Sequence, residues 1–462
     1  MSNDLAFASA TELLALYRSR KASPVEAAKA ALARAKAHQA RFNAFVLIDE
    51  EAALEAARAS EARWLKGETG LVDGVPTTIK DMFLTKGWPT RRGSLTISPD
   101  GPWDEDSPLV ANLRRHGAVL LGKTTQSEFG WKGTCDSPLT GITRNPWDST
   151  KTPGGSSGGA GVAAALGMGA LHAGGDGGGS IRIPASFCGI YGIKPTFGRV
   201  PNYPSKMPGS ITHAGPMTRT VADAALMLTV MAEPDIRDWQ SLPYERRDYG
   251  ADLDRGVRGL RIAYSPTLGF TKVDPEVAAT VAEAARRFEG LGAIVEEATP
   301  EIDDPQPAFE LYYSVRFARL HRLLAEDQRR LLDPGIVELA KAGEGYDLQQ
   351  ALEADAAREE LGGRLNRFHT RYDLLLTPQI PIPAFDVGID NPLRDGYGPW
   401  QFTYLFNFTG QPAASVPCGF TAAGLPVGLQ IVGPRYREDL VLQASRAFES
   451  ITPFRMPAQR VG

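Results

Sequence analysis

The sequence predicts an α/β protein with a mostly parallel or mixed sheet. Three observations support this: strand-like and helical segments alternate along the chain, several helices run directly into buried apolar strands, and 43% of the 462 residues are apolar. Taken in order, Ser23, Pro24 and Glu26 supply an N-cap, a proline at the first helical position and a capping-box partner for an Ala-rich helix reaching about His38. A second helix is expected from about Glu51 to Lys66, stopped by Gly67. Val75 to Ile79 reads as a short strand ending in Lys80 and Asp81, which places a lysine at a strand's C-terminal end, where ligand sites of α/β sheets gather. A helix through Leu113 runs into a strand from Gly117 to Leu121. Another, from Asp274 and Pro275 with apolar Val277, Val281, Ala284 and Phe288, runs into Gly292 to Val295. Charged helices are expected near Arg316 to Arg330 and from Leu348 to Phe368. The Pro-rich stretches Pro234 to Pro243, Pro300 to Pro307 and Pro378 to Pro392 are short, and they read as surface connections within one unit.

Composition removes several function classes. Lysine and arginine number 50 against 54 acidic residues, a net charge of −4, with no basic block. No nucleic-acid or anionic membrane partner is implied. Asp4, Glu12, Arg18 and Arg20 interrupt any apolar leader, and no run of about twenty apolar residues marks a membrane span, so a cytoplasmic location is expected. Cys135, Cys188 and Cys418 are odd in number and lack C-x-x-C spacing; they read as core thiols rather than disulfides or zinc ligands.

The chemistry concentrates between Gly154 and Gly198, where 15 of 45 residues are glycine, about five times the background of roughly 7%. Three readings compete. A flexible linker would not need the small-residue helical run Val162 to Met168 or the apolar stretch Ile181 to Ile193. A phosphate-cradling loop would fit the glycines, but no G-K-[ST] ending follows. In a serine hydrolase, glycines before Ser180 would aim consecutive N–H groups at an oxyanion. His172 falls in this segment on a helix-to-strand run and reads as structural, so the base for such a serine need not be histidine. A buried lysine can serve once desolvation makes its neutral amine accessible near pH 7.

Several motifs in order make the chain recognisable. They are Lys80 within Gly74-Val75-Pro76-Thr77-Thr78-Ile79-Lys80-Asp81; Arg144-Asn145-Pro146-Trp147; Gly154-Gly155-Ser156-Ser157-Gly158-Gly159; Asp176 to Ala185; and Gly192-Ile193-Lys194-Pro195-Thr196. With Asn407 to Ala413 and Gly424 to Gln430, they resemble the amidase signature family from about residue 9 to 450.

The resemblance implies the family's fold, a large mixed, mostly parallel twisted sheet covered by helices on both faces, as a single domain over 1–462 with a catalytic core at about 70–230 and 373–450; the residues themselves suggest a more helical layer around it at about 254–372. It implies catalysis by Lys80, Ser156 in a cis peptide and the nucleophile Ser180. Backbone N–H groups of Gly177, Gly178, Gly179 and Ser180 would form the oxyanion hole, with Ser157, Asp176 and Arg182 in support. Taken alone, Ser157 also reads as an N-cap of the following helix, and Arg182 as a partner for a carboxylate such as Asp176. The family commonly reads Gly-Thr-Asp-Thr-Gly-Gly-Ser where this chain has Gly174-Gly175-Asp176-Gly177-Gly178-Gly179-Ser180, so side chains are absent at 175 and 177.

The implied activity is hydrolysis of a carboxamide, aryl or alkyl, to a carboxylate and ammonia or an amine, without cofactor or metal, by a homodimer. Met82, Phe83, Phe129, Trp131, Tyr312, Tyr313, Trp400, Phe402 and Phe406 are the candidate pocket walls, and Arg316 or Arg319 would suit an anionic substrate. The alternatives are the glutaminase subunit of a tRNA-dependent amidotransferase and a non-enzymatic nucleotide- or phosphate-binding protein.

Overall fold

The computed structural model describes residues 4–204, 210–393 and 398–457. Its strands in chain order are β1 (Phe45–Ile48), β2 (Pro76–Lys80), β3 (Val119–Thr124), β4 (Asp136–Ser137), β5 (Gly141–Ile142), β6 (Leu171–Asp176), β7 (Tyr191–Lys194), β8 (His213–Thr218), β9 (Arg261–Tyr264), β10 (Ile294–Glu297), β11 (Leu374–Pro378), β12 (Ala413–Phe420) and β13 (Pro426–Val432). Eleven of them form one sheet in the order β1-β3-β2-β6-β8-β7-β12-β13-β11-β9-β10, and β4 and β5 pair separately.

The sheet is mixed, but its parallel pairs are a minority. Strands β3, β2 and β6 run parallel on one side and β11, β9 and β10 on the other. Between them β6, β8, β7, β12, β13 and β11 pair antiparallel, as does β1 at the edge. The expectation of a mostly parallel sheet is corrected here for a physical reason. The flanks are built from helix-to-strand units, whereas β12 and β13 are joined by a tight turn that can only make an antiparallel pair.

Side-chain alternation shows that both faces are covered. On β11, Leu374 and Leu376 enter one apolar core with Val277, Val281 and Phe288 of the helix Pro275–Gly290, while Leu375 between them enters another with Phe309, Phe317, Leu361 and Leu365. That period of two, buried on both sides, is what a sheet between two helical layers requires.

The first predicted helix is Pro24–Phe42 with the Ser23–Glu26 capping box formed, and the second is Glu50–Lys66 with Gly67 left-handed at its end. The helix expected near Arg316 to Arg330 is instead Gln306–Leu323, ended at extended Leu324 and followed by a short turn, Glu326–Arg329. Leu348–Phe368 is helical as expected. Among the described residues no helix is long and apolar enough to cross a membrane.

Candidate active site

Parallel strands β2 and β6 are neighbours, with Ile79 opposite Ala173, so their C-terminal residues Lys80 and Asp176 reach the same edge of the sheet. Two glycine-rich loops close over that edge. One carries Ser156 and Ser157 into the helix Gly158–Ala165; the other runs from Asp176 through Ser180 into the helix Arg182–Cys188. Nearly all of the segment is buried, and its helices and strands are part of the sheet and its cover, so it is no linker.

Lys80 Nζ donates to Ser156 Oγ at 2.7 Å, to Ser157 Oγ at 2.8 Å and to the Gly175 carbonyl at 3.2 Å. With Lys80 only 1% exposed, burial brings its ammonium down to about 7, against the opposing pull of nearby negative groups including Asp176. The Gly155–Ser156 peptide is cis. A Cβ on Gly155 would lie 1.8 Å from the Thr134 carbonyl oxygen, so this loop is wedged against its neighbour and only glycine fits. Ser157 stands at the helix N-terminus without capping it, which corrects that reading: its Oγ is taken by Lys80 and by the Gly175 carbonyl at 3.1 Å.

Ser180 is 8% exposed against 2% for Ser156, and both line one cavity with Lys80. Ser180 is thus the more open of the two hydroxyls, with the lysine nearly sealed behind them. The Gly179 N–H donates to Asp176 Oδ1 at 2.7 Å and is occupied. This corrects the inclusion of Gly179 among the oxyanion donors. The N–H groups of Gly177, Gly178 and Ser180 have no such acceptor among the described residues.

Asp176 and Arg182 form a fully buried ion pair, Nε to Oδ2 at 3.0 Å and Nη2 to Oδ1 at 3.1 Å. Burial alone would raise the Asp176 carboxyl, but the Arg182 charge and hydrogen bonds hold it well below the usual carboxylate range. The guanidinium also donates to Gln430 Oε1, Asn407 Oδ1 and the Thr403 carbonyl, and Asn407 Nδ2 returns a bond to Asp176 at 2.7 Å. Sequence reasoning quoted the motifs holding Asn407 and Gln430 but gave them no role, because their partner lies more than two hundred residues away. His172 is buried on β6 with Nδ1 at 2.8 Å from Thr78 Oγ1, and burial keeps its ring neutral, down to about 3.

Of the expected walls, Met82, Phe83, Phe129 and Tyr313 line the cavity, which has a volume of about 70 Å³. Trp131, Trp400 and again Tyr313 line a second cavity of about 330 Å³ that also reaches Ser180. Phe402 lines neither and is corrected: it is fully buried in the apolar core, on a helix that offers Thr403 and Asn407 to the site instead. Phe406 is likewise core, and Tyr312 is bound to Asp355. Arg316 lines the first cavity; Arg319 does not. Sequence reasoning missed Arg92, Gln126 and Thr212 in that wall; Arg92 stands in the left-handed region before Gly93, and of that turn the sequence displayed only the glycine.

The sequence model of the family described as Amidase matches residues 26–442. The chain is 38% identical to an acylamidase of Rhodococcus erythropolis, over 98% of this chain and 97% of the relative. It is 39% identical to a glutamyl-tRNA(Gln) amidotransferase subunit of Myxococcus xanthus (strain DK1622), over 95% and 96%. The crystal structure of a bacterial aryl acylamidase of the amidase signature enzymes superposes with a TM-score of 0.91 at 32% identity, covering 97% of each chain.

Proposed function

Since the chain belongs to the amidase family and is a hydrolase of carbon–nitrogen amide bonds, we propose that it cleaves small carboxamides through an acyl-enzyme on Ser180, with Lys80 and Ser156 as proton relay. Ser180 Oγ attacks the amide carbon while its proton passes to Ser156 Oγ, whose own proton passes to neutral Lys80 Nζ. The N–H groups of Gly177, Gly178 and Ser180 receive the developing oxyanion. Reversing the relay protonates the leaving nitrogen, the carbon–nitrogen bond breaks, and the amine departs. Water then attacks the ester by the same route and releases the carboxylate. Ser157 positions the lysine, and the Asp176–Arg182 pair fixes the loop, Asp176 holding the Gly179 N–H and so turning the neighbouring donors outward.

The observation that carries this reading is Lys80 itself: buried, brought down to about 7, and 2.7 Å from the hydroxyl of Ser156. The test is a fluorophosphonate label mapped by mass spectrometry, with an amide panel in parallel. A single adduct on Ser180, absent in Ser180→Ala, is expected. Lys80→Met should lower kcat by about 10²–10⁴ with the fold intact. Labelling elsewhere, or full activity in Ser180→Ala, overturns the reading.

The close likeness to a glutamyl-tRNA(Gln) amidotransferase component favours a second reading, glutamine hydrolysis in a complex. Hydrolysis of simple amides by the isolated chain decides for the first; glutaminase activity appearing only with a partner decides for the second.

A further inference from the structure

The loop that offers its N–H groups to an oxyanion runs through three consecutive glycines, Gly177 to Gly179, and has no side chain of its own to stiffen it before Ser180. What holds it comes from outside. In a trans peptide the carbonyl and the N–H point in opposite directions, so a group that fixes one fixes the other. The Gly179–Ser180 unit is fixed in that way: the Gly179 carbonyl accepts the Ile183 N–H at 2.7 Å, in the turn that opens the helix Arg182–Cys188, and the Ser180 N–H faces away from it. The Gly177–Gly178 unit has no hydrogen-bond partner at either end among the described residues, so its direction is inherited from the unit that follows.

That following unit, Gly178–Gly179, is held at both ends. Its N–H donates to Asp176 Oδ1 at 2.7 Å, and its carbonyl accepts from Thr403 Oγ1 at 2.6 Å. Thr403 is fully buried on the helix Gln401–Thr409, and its hydroxyl also lies 2.8 Å from the Trp400 carbonyl. A hydroxyl has one proton for these two acceptors. The Trp400 carbonyl is already met by the N–H groups of Thr403 at 2.9 Å and Tyr404 at 3.2 Å, whereas the Gly178 carbonyl has no other donor among the described residues. The proton therefore goes to Gly178, whose carbonyl would otherwise stand unpaired. One turn along the same helix face, Asn407 Nδ2 donates to Asp176 Oδ1 at 2.7 Å, so both ends of the glycine peptide are referred to one rigid element. The fit is close. Gly179 stands at φ 126°, and a Cβ there would lie 2.5 Å from Thr403 Oγ1.

We propose that Thr403 is a positioning residue for the oxyanion hole: its hydroxyl locks the Gly178–Gly179 peptide and so aims the Gly178 N–H at the developing negative charge. With no exposed surface, Thr403 acts on the reaction through the peptide it holds and not by touching substrate. Donors aligned in advance need no reorganisation as charge develops, which is where such a clamp gains its effect. The proposal rests on the reading of Ser180 as nucleophile and adds the group that keeps its oxyanion donors in line.

The test compares the full chain with Thr403→Val, which keeps the shape and removes the hydroxyl, and with Thr403→Ser, which keeps the hydroxyl, in hydrolysis of para-nitroacetanilide. Losing a donor outright lowers kcat by about 10²–10³, so a misaimed one in Thr403→Val should lower it by about tenfold or more with KM little changed. Thr403→Ser should keep most of the activity. Phenyl trifluoromethyl ketone, which adds to a serine as a tetrahedral oxyanion, should lose affinity for Thr403→Val by the same factor as kcat, while the corresponding alcohol, which cannot add, keeps its own. An unchanged kcat in Thr403→Val, or equal weakening of ketone and alcohol, overturns the proposal. Should Thr403→Val fail to fold, Thr403→Ser and Thr403→Ala differ by the hydroxyl alone, and equal kcat in those two overturns it as well. Ser180→Ala separates the clamp from the relay. Hydrolysis lost in Ser180→Ala but untouched in Thr403→Val leaves the relay standing and removes the clamp; hydrolysis that survives Ser180→Ala removes both.

Discussion

Lys80 is held by its surroundings in a state that water would not allow. Its side chain is sealed at the end of β2, and desolvation brings the ammonium from 10.5 down to about 7. Two consequences share that cause. Activity through the relay needs the neutral amine, so kcat/KM should rise with pH, reach half its plateau near 7 and stay level above; a profile flat from pH 6 to 9 counts against Lys80 as base. Stability responds in the same direction. Between about pH 7 and 10.5 the unfolded chain holds a proton on Lys80 that the folded chain does not, so folding gains with rising pH across that window. Lys123, brought down to about 8, adds to the trend. Urea midpoints at pH 7 and pH 9 should therefore diverge more in the unmodified protein than in Lys80→Met. None of this was visible in the residue alone, since the sequence showed a lysine at a strand end and left its burial to the motifs around it.

Among the elements, the glycine-rich loops show why some glycines are forced and others are not. A Cβ at 155 meets the Thr134 carbonyl, which cannot yield. Gly155→Ala should displace Ser156 and lower kcat on the order of 10²-fold. The two departures from the family pattern differ from each other. At 175 an added Cβ would lie 2.2 Å from Met82 Sδ, the space being filled by that methionine, whereas at 177 it would meet only Thr212 Oγ1 at 3.7 Å. Gly177→Ala should change stability by no more than about 0.5 kcal/mol. Gly175→Ala should lower the melting midpoint, and Met82→Ala in the same chain should recover part of that loss. The helix Gly158–Ala165 illustrates what local reading missed. It starts directly after Ser157, where an N-cap was read, but it ends at Ala165, short of the Met168 to which the small-residue run extended. Glycines are poor helix formers, yet here they let it pack against Cys135 and the Ala44 carbonyl, whose atoms lie 2.4 Å from where a Cβ would be. Capping boxes, being local, were legible at Ser23; contacts across a hundred residues were not.

At the scale of the whole molecule, the residues that the candidate site brings together were legible because motifs carry them, while the sheet's direction and the pocket's walls were not. Helix-to-strand units at the flanks are local and were read correctly; the antiparallel middle depends on which strands meet, and no stretch of sequence states that. Aromatic residues divide between core and cavity by a helix's rotation, which is why Tyr313 faces the site and Phe402 does not. The two cavities are joined by few residues: Ser180 and Tyr313 are the pair that lines both. On the proposed mechanism, an acyl group esterified to Ser180 would sit at that junction, with one chamber vacated when the amine departs. Whatever nucleophile filled that chamber first would then take the acyl group, in competition with water. Hydroxylamine added to a turnover mixture should divert product into the hydroxamate in proportion to its concentration, leaving the rate of amine release unchanged wherever acylation is the slow step. On the proposed mechanism the same division of space predicts that an added amine, with water scarce, is acylated in its turn, so that the reaction runs toward the amide.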